Sequence, residues 1–510
     1  MLKELLVAIT PLSMIQKIEN SLLKNYNLSK YLLSRENPSL IEKISEKKVM
    51  AIFHKANTRI PAYKNFLKEH KINPKEIKSI GDFNVVLPQT TKENYVKKNK
   101  DEDLCIDGEL PKTGIIEESS GSTGKPTNWI KDFHEDRLLD LEVGFEGEYL
   151  FGIRRKRYII ISCWAFGPWT TDLKFCEFFE HYGLVKNVGP NPEGVIELIK
   201  KYGPKYNYLI GGYPPFCKTL FEGGGKKISW KRYKIDVLTG GEGFVIGWRE
   251  RMKQLLGENA TIISAYGASD IDIGIAFETP LSILIRELCF KNKEVKKIIS
   301  DNELYPMVFQ YNPLAHYITN EKENNEFTIT PLDDCVSAPK VKYNLHDGGK
   351  KISFNEMIEQ VNKVSNNALN EYVMRNKDEI LHFPFLIVSG RTDGTISING
   401  TNIYPSQIEM ALMKDKTSFH LLNSFMISAQ NTSKTRFTVK IELNKGIKIT
   451  KNLKKIYEGI VMKNLPKISE EYAQAKEDFK EAMTPFVEVY AYCEGPFKKD
   501  KKRIKHKYIQ

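Results

Sequence analysis

Between residues 115 and 350 the chain alternates two patterns, and this alternation constrains the fold more than any other feature. Short β-branched and aromatic runs, "RYIIISCW", "YNYLIGGYP", "KIDVLTGG" and "ATIISAYG", each stop at a Gly or Pro turn. Helical patterns stand between them, over 193–201 and 247–256. Strands that alternate with helices are joined by crossovers, and crossovers build parallel sheets. The segment predicts an α/β domain around a largely parallel sheet. "NEFTITPL" and "APKVKYNL" predict strands of a smaller sheet.

On either side the pattern changes. Residues 1–100 are Lys-rich and predict helices, and "TRIPAYKNFLKEH" and "VVLPQTTKENYVKKN" each place Pro before a helical pattern. The start, "MLKELLVAITPLSMIQKIEN", predicts a helix and not a signal peptide, since its short apolar run has no cleavage-like site. No apolar run approaches the ~18 residues of a membrane span, so no membrane insertion is expected. Residues 350–380 predict a polar helical connection or insertion. "LHFPFLIVSGRTDGTISINGTNIYPSQIEMAL" predicts strand, turn, strand, Gly turn and a helix from Pro405.

A chain of 510 residues is too long for one core. The expected division is a large domain, 1–390, with 1–100 as its helical lead-in, and a small α+β domain, 391–510, with a hinge near Asp393.

Composition narrows the function classes. Hydrophobic residues at 41% and charged residues at 27% describe an ordinary globular protein. The net charge of +12 is spread over Lys-rich stretches and concentrated in "KKDKKRIKHK" at the end. A solvated basic surface or a rim for polyanionic ligands fits this better than nucleic-acid binding, because no RNA-binding aromatic signature accompanies it. Seven cysteines, an odd count without CxxC spacing, form neither a disulfide framework nor a zinc ribbon and fit a reducing cytoplasm.

One loop carries chemistry on its face. "SSGSTGKPT" at 119–127 offers what a phosphate cradle needs: bare backbone N–H groups, hydroxyls and a cation. Gly121 and Gly124 permit unusual backbone angles. Ser119, Ser120, Ser122 and Thr123 can donate hydroxyls, and Lys125 adds charge. The Gly-to-Gly-Lys spacing is not that of a Walker A loop. By itself such a stretch is more often a flexible turn, here between two strands.

The loop resembles the phosphate loop of the adenylate-forming superfamily, which includes acyl-CoA synthetases, luciferases and peptide-synthetase adenylation domains. It is most similar to the SSGTTGKPT form of phenylacetate–CoA ligases. Further motifs follow in that family's order. "LTGGEGF" resembles its adenine loop, which assigns Gly240, Gly241 and Glu242 to the base. "SAYGASD" resembles YGxSE. It implies Tyr266 and Gly267 at adenine, Ser269 at phosphate and metal, and Asp270, one methylene shorter than the usual Glu, as the magnesium ligand. "VKYNLHD" resembles YRTGD, with only Tyr343 and Asp347 kept, and implies Asp347 on the ribose hydroxyls. "SGRTDGTISINGTNIYPSQIE" resembles GRxDxxIxxxGxxIxPxxIE. It implies Arg391 at ribose or phosphate, Asp393 as hinge and Gly400 along the thiol's path. "IPAYK" and "LPQTTK" match stretches that precede the loop, so the resemblance covers about residues 55–505.

Two assignments are less anchored. The family's catalytic lysine lies in PxxxxGKxxR near the end. Counting from Pro496 gives Lys502, with the Gly and Arg lost and other lysines nearby, so a solvated tail remains open. "CWAFGPWTTDLKF" resembles the segment that walls the acid, which implies Trp164, Phe166 and Trp169, with Tyr213 from "GGYPPF". Those aromatics fit a core cluster as well as an apolar pocket.

The resemblance implies a two-step acid–thiol ligase that uses ATP, Mg2+ and CoA. A carboxylic acid, aryl or otherwise apolar, becomes acyl-AMP and then a thioester, with the small domain swinging about Asp393 between the steps. Alternatives are transfer to an amine, a protein or a carrier, and a degenerate member without activity. The oligomeric state has no sequence signal.

Overall fold

The computed structural model describes residues 10–119, 127–165, 170–244, 246–300, 305–321, 325–392, 395–431 and 435–498. The phosphate-loop residues 120–126, the aromatics Phe166 and Trp169, the hinge Asp393 and the terminal Lys502 lie outside them.

The strands, in chain order, are β1 (Gly114–Ser119), β2 (Thr127–Asp132), β3 (Tyr158–Ser162), β4 (Leu184–Asn187), β5 (Asn207–Gly211), β6 (Lys234–Thr239), β7 (Ile262–Ala268), β8 (Asp272–Phe277) and β9 (Met307–Gln310). They continue as β10 (His316–Glu321), β11 (Glu326–Pro331), β12 (Tyr343–Ile352), β13 (Phe385–Arg391), β14 (Ile396–Ile398), β15 (Thr401–Ile403), β16 (Leu422–Asn431), β17 (Thr435–Leu443) and β18 (Phe486–Tyr490). Eleven of them form one sheet, in the order β10-β11-β12-β13-β9-β8-β7-β6-β5-β3-β4.

Strands β3 to β7 pair in parallel, as the alternation predicts. β3 reads "YIIIS" and is buried at every position, because helices cover both faces of a crossover-built sheet. The helix Pro192–Tyr202 illustrates the local rules: Pro192 at its start, the Asn191 side chain capping the Gly194 N–H, and Gly203 at its end.

Two expectations change. The strands predicted for a smaller sheet join the same large sheet, because β8 turns back antiparallel on β7 and β9 to β13 continue antiparallel from it. Short-range sequence pattern cannot report that edge-to-edge continuity. The stretch after Pro88 is no α-helix. It is extended at Thr90, which bridges Tyr343 and whose carbonyl accepts the Asn344 N–H at 2.8 Å, and turns follow over 92–95 and a short 3-10 turn at Val96–Lys98.

The helices before β1 pack on the antiparallel half of the sheet, around Phe53, Tyr63, Phe83 and Tyr343. A separate cluster gathers Ile396, Ile398, Ile403, Phe437, Tyr457 and Val487 around the three-stranded sheet β16-β17-β18. The molecule is thus mixed α/β, a large helix-flanked sheet followed by a smaller C-terminal α+β unit. No described helix is long and apolar enough to cross a membrane.

Candidate active site

A cavity of about 920 Å³ opens where β6, β7, β12 and β13 end and where β14 and β15 approach. Ligand sites form at strand ends because the loops there are free to vary above a fixed sheet.

Its mouth is a polar network. The bridge at Thr90 carries Lys92 to the sheet, where Nζ donates to Ser119 Oγ at 3.0 Å and lies 3.3 Å from Asp270 Oδ1. Burial opposes the charge on Lys92, but Asp270 and then Tyr404 hold its pKa above the ordinary lysine value. The Tyr343 hydroxyl donates to Asp270 Oδ2 at 2.8 Å. Ser119 also accepts from Trp129 Nε1 at 2.7 Å and ends β1, opposite Thr127 on β2. The sequence motif at 119–127 is therefore flanked by an antiparallel hairpin. Lys92 is a site residue that the motifs left unassigned. Its signal was "LPQTTK", a stretch noted for resemblance but given no role.

A second pair lies one strand across. Tyr266 donates its hydroxyl to Asp347 Oδ2, and its ring lies 6.0 Å from that of Phe309. Burial, then Asp347, raises the Tyr266 pKa well above normal. Asp347 faces Arg391 across the β12–β13 ladder, with Nε 3.9 Å from Oδ1. The degenerate "YNLHD" is explained locally. His346 takes left-handed backbone (φ 61), where the resembled motif has glycine. The Asn344 side chain accepts the His346 N–H at 2.6 Å, so a side chain supports the bend that glycine would otherwise make easy. Close approach matters at Gly267, where a Cβ would fall 2.3 Å from the Ile273 carbonyl oxygen.

The loop after β6 joins the two units. Glu242 Oε1 accepts the Gly400 N–H at 3.0 Å. Burial pushes this carboxyl up to about 8, against the opposing N–H groups of Gly400 and Asn399. Asn399 and Gly400 both have positive φ (49 and 77), the geometry of a tight two-residue hairpin turn. A Cβ on Gly400 would fall 2.1 Å from the Tyr213 ring, so only glycine fits there. Arg286 donates to the Phe244 carbonyl of this loop, and the Arg249 guanidinium lies 4.9 Å over the Phe244 ring; Glu278 pairs with Arg249 and accepts the Ser264 N–H at 2.9 Å. Gly240, Gly241 and Ser269 line the cavity, and the Ser397 hydroxyl donates to the Gly241 carbonyl at 3.5 Å.

Deeper in, the walls turn aromatic. Trp164 meets Tyr213 edge-on at 4.7 Å and Phe175 at 6.3 Å, and Phe175 lies 4.7 Å from Phe179. Trp164 and Tyr213 are at once core and wall, since both are buried and both face the cavity. One residue departs from the apolar wall expected from the sequence. Glu146, on the helix Phe133–Phe151, lines the same space. Its signal lay in "VGFEGEYL", where Val143, Glu146, Gly147 and Leu150 recur at helical spacing on one face.

A scan of protein-family models gives no match, and neither does a search of curated proteins. Among solved structures the chain is similar to 2-hydroxyisobutyryl-CoA ligase. In its thioesterification state, in complex with 2-HIB-AMP and CoA, that protein superposes with a TM-score of 0.61 at 14% identity over 92% of this chain and 89% of that one. In its postadenylation state with R3-HIB-AMP the TM-score is 0.53, at 14% identity over 92% and 89%. An open conformation with 2-HIB-AMP and CoA gives 0.52, at 14% identity over 92% of each chain. The likeness at this identity is one of fold, and it spans both the large sheet and the C-terminal unit.

Proposed function

We propose that the protein is an ATP-dependent acid–thiol ligase that activates a carboxylic acid as acyl-AMP and passes the acyl group to CoA. One observation carries this. Groups far apart in sequence, Lys92, the 240–242 loop, Tyr266, Asp270, Asp347, Arg391 and Gly400, meet around one cavity. They meet in a fold similar to that of a protein crystallised with an acyl-AMP and CoA.

In the first step a carboxylate oxygen attacks the α-phosphorus and the bond to the bridging oxygen breaks, releasing pyrophosphate. The 119–127 loop would cradle the leaving phosphates, with Ser120, Gly121, Ser122, Thr123, Gly124 and Lys125 in that role beside Ser119. Adenine would lie against Gly240, Gly241 and Tyr266, and the ribose hydroxyls against Asp347 and Arg391. Asp270 offers one hard oxygen, and Mg2+ characteristically takes few carboxylates and completes its shell with phosphate and water, so the donor set fits. When bound, the ion neutralises phosphate charge. Lys502 would stabilise the charge that develops on the attacked phosphate.

In the second step the CoA sulfur attacks the acyl carbon, AMP leaves with the bonding pair, and the thiol proton is released. Turning about Asp393 would exchange Lys502 for the Gly400 hairpin. The seven cysteines are all free, in keeping with a reducing cytoplasm.

Pyrophosphate release is measured with ATP, Mg2+ and panels of aryl and aliphatic acids, followed by product mass with and without CoA. At least one acid is expected to release pyrophosphate without CoA and to yield a thioester with it. Release with none of them sinks the assignment, and an adduct other than a CoA thioester changes the acceptor.

A further inference from the structure

Glu146 is the acid in an otherwise apolar stretch of wall. It sits mid-helix on a face whose other cavity-lining positions are Val143, Gly147 and Leu150, and the lining also holds Trp164, Phe175 and Phe179. Among the described residues, no hydrogen-bond donor and no cation acts on its carboxyl. Burial, then Glu142 and Asp272, raise its pKa well above the ordinary carboxyl value. Both neighbours are acids. Glu142, one turn away, is itself pushed up to about 8 by burial. A half-buried carboxyl in an apolar wall costs stability that a leucine at the same position would not. Glu148, two residues on, shows the contrast: its carboxylate accepts the Arg154 N–H at 2.7 Å and pairs with Arg155.

The cavity lining carries charge of both signs. Lys92 and Arg391 each stand beside an acid, Asp270 and Asp347, whereas Glu146 lines the same space among aromatics with only Glu142 and Asp272 acting on it among the described residues. We propose that Glu146 binds a cationic amine, so that the acid activated is an amino-carboxylic acid with its carboxylate toward the nucleotide groups and its ammonium on Glu146. This names the substrate class of the ligase proposed above and rests on that assignment. An ammonium supplies what the pocket lacks. It gives the Glu146 carboxylate a charge-assisted hydrogen bond, about twice as strong as a neutral one. The aromatic faces of Trp164, Phe175 and Phe179 suit a cation as well as an apolar spacer. The proton Glu146 loses on binding goes to solvent, and no further group is required.

The test compares ω-aminoalkanoates of graded length with matching ω-hydroxyalkanoates and unsubstituted alkanoates. The readouts are pyrophosphate release and thermal stabilisation in the presence of ATP and Mg2+. The wild-type protein is expected to prefer the amino acid of best length by about tenfold or more in kcat/KM over its unsubstituted partner. Glu146→Gln is near-isosteric and guards against loss of fold. It should bring that ratio down to about one, and Glu146→Leu should invert it. Equal or better turnover of unsubstituted acids by the wild type overturns the inference and leaves the ligase assignment standing, as does a ratio untouched by Glu146→Gln. If no acid releases pyrophosphate, the ligase assignment fails, and stabilisation decides the amine site. A rise in melting temperature with amino acids that Glu146→Leu abolishes supports it, and no such rise overturns it.

Discussion

Two parts of the cavity lining are built on opposite terms. At the mouth each charged group is held by others: Lys92 by Asp270 and Ser119, Asp270 also by Tyr343, Asp347 by Tyr266 and Arg391. Elsewhere in the lining Glu146 stands among aromatics, and among the described residues only acids act on it. The difference teaches which groups are preorganised and which wait. A paired, buried group keeps its geometry without ligand and would be ready to act on the nucleotide of the proposed reaction. A group that has no partner gains one only when the right ligand arrives, so specificity concentrates there.

The comparison can be broken from the paired side first. Glu278→Ala removes the acid that pairs with the buried Arg249 beneath the 240–244 loop. Leaving that charge uncompensated should cost about 3–5 kcal/mol in chemical denaturation. A loss below about 1 kcal/mol would mean the loop does not depend on this support. Lys502→Ala should lower pyrophosphate release by about 10²–10³-fold, and thioester formation from supplied acyl-AMP far less, as expected for a group acting on one transition state. If Lys505→Ala does this instead, the terminal count is wrong.

Milder changes sharpen the contrast. Asp347→Ala removes the partner of both Tyr266 and Arg391 and should raise the KM for ATP roughly tenfold, about the worth of one charged hydrogen bond. An unchanged KM would take the ribose role from Asp347. Gly400→Ala forces a Cβ into the Tyr213 ring from a left-handed backbone position. It should slow thioester formation more than pyrophosphate release, by roughly tenfold, and equal slowing of both steps would argue against a role confined to the second.

The smallest effect concerns pH. Burial holds Glu142 protonated up to about 8, against an ordinary value of 4.5. As pH rises the unfolded chain loses this proton first. The stabilisation is therefore complete below about 4.5 and is lost as pH climbs toward 8. Glu142→Gln should leave the melting temperature near its wild-type value at the acid end of that window and raise it by about 2–4 °C at the alkaline end. A pH-independent difference would show that Glu142 ionises freely.

Much of the mouth was legible in sequence because its groups lie in short, ordered motifs. "GGEG", "YGASD" and "NGTNIYP" supply Glu242, Tyr266, Asp270 and Gly400, and the structure brings all four to one cavity. What stayed hidden lacked a motif. Lys92 reaches the site only because Thr90 bridges Tyr343, a contact between segments about 250 residues apart in the chain. Glu146 looked like an ordinary charge on a helix until packing turned its face inward.

By itself the sequence determined the alternation of strands and helices, the parallel half of the sheet, and the turns at which the candidate site residues stand. Periodicity and turn residues act over a few neighbours, and a few neighbours suffice to write them. Only the tertiary structure decided that the later strands extend the same sheet, that Asn344 supports the bend at His346, and that one carboxyl among the aromatics of the wall finds no partner among the described residues. Burial, pairing and the absence of pairing depend on what the rest of the chain places nearby.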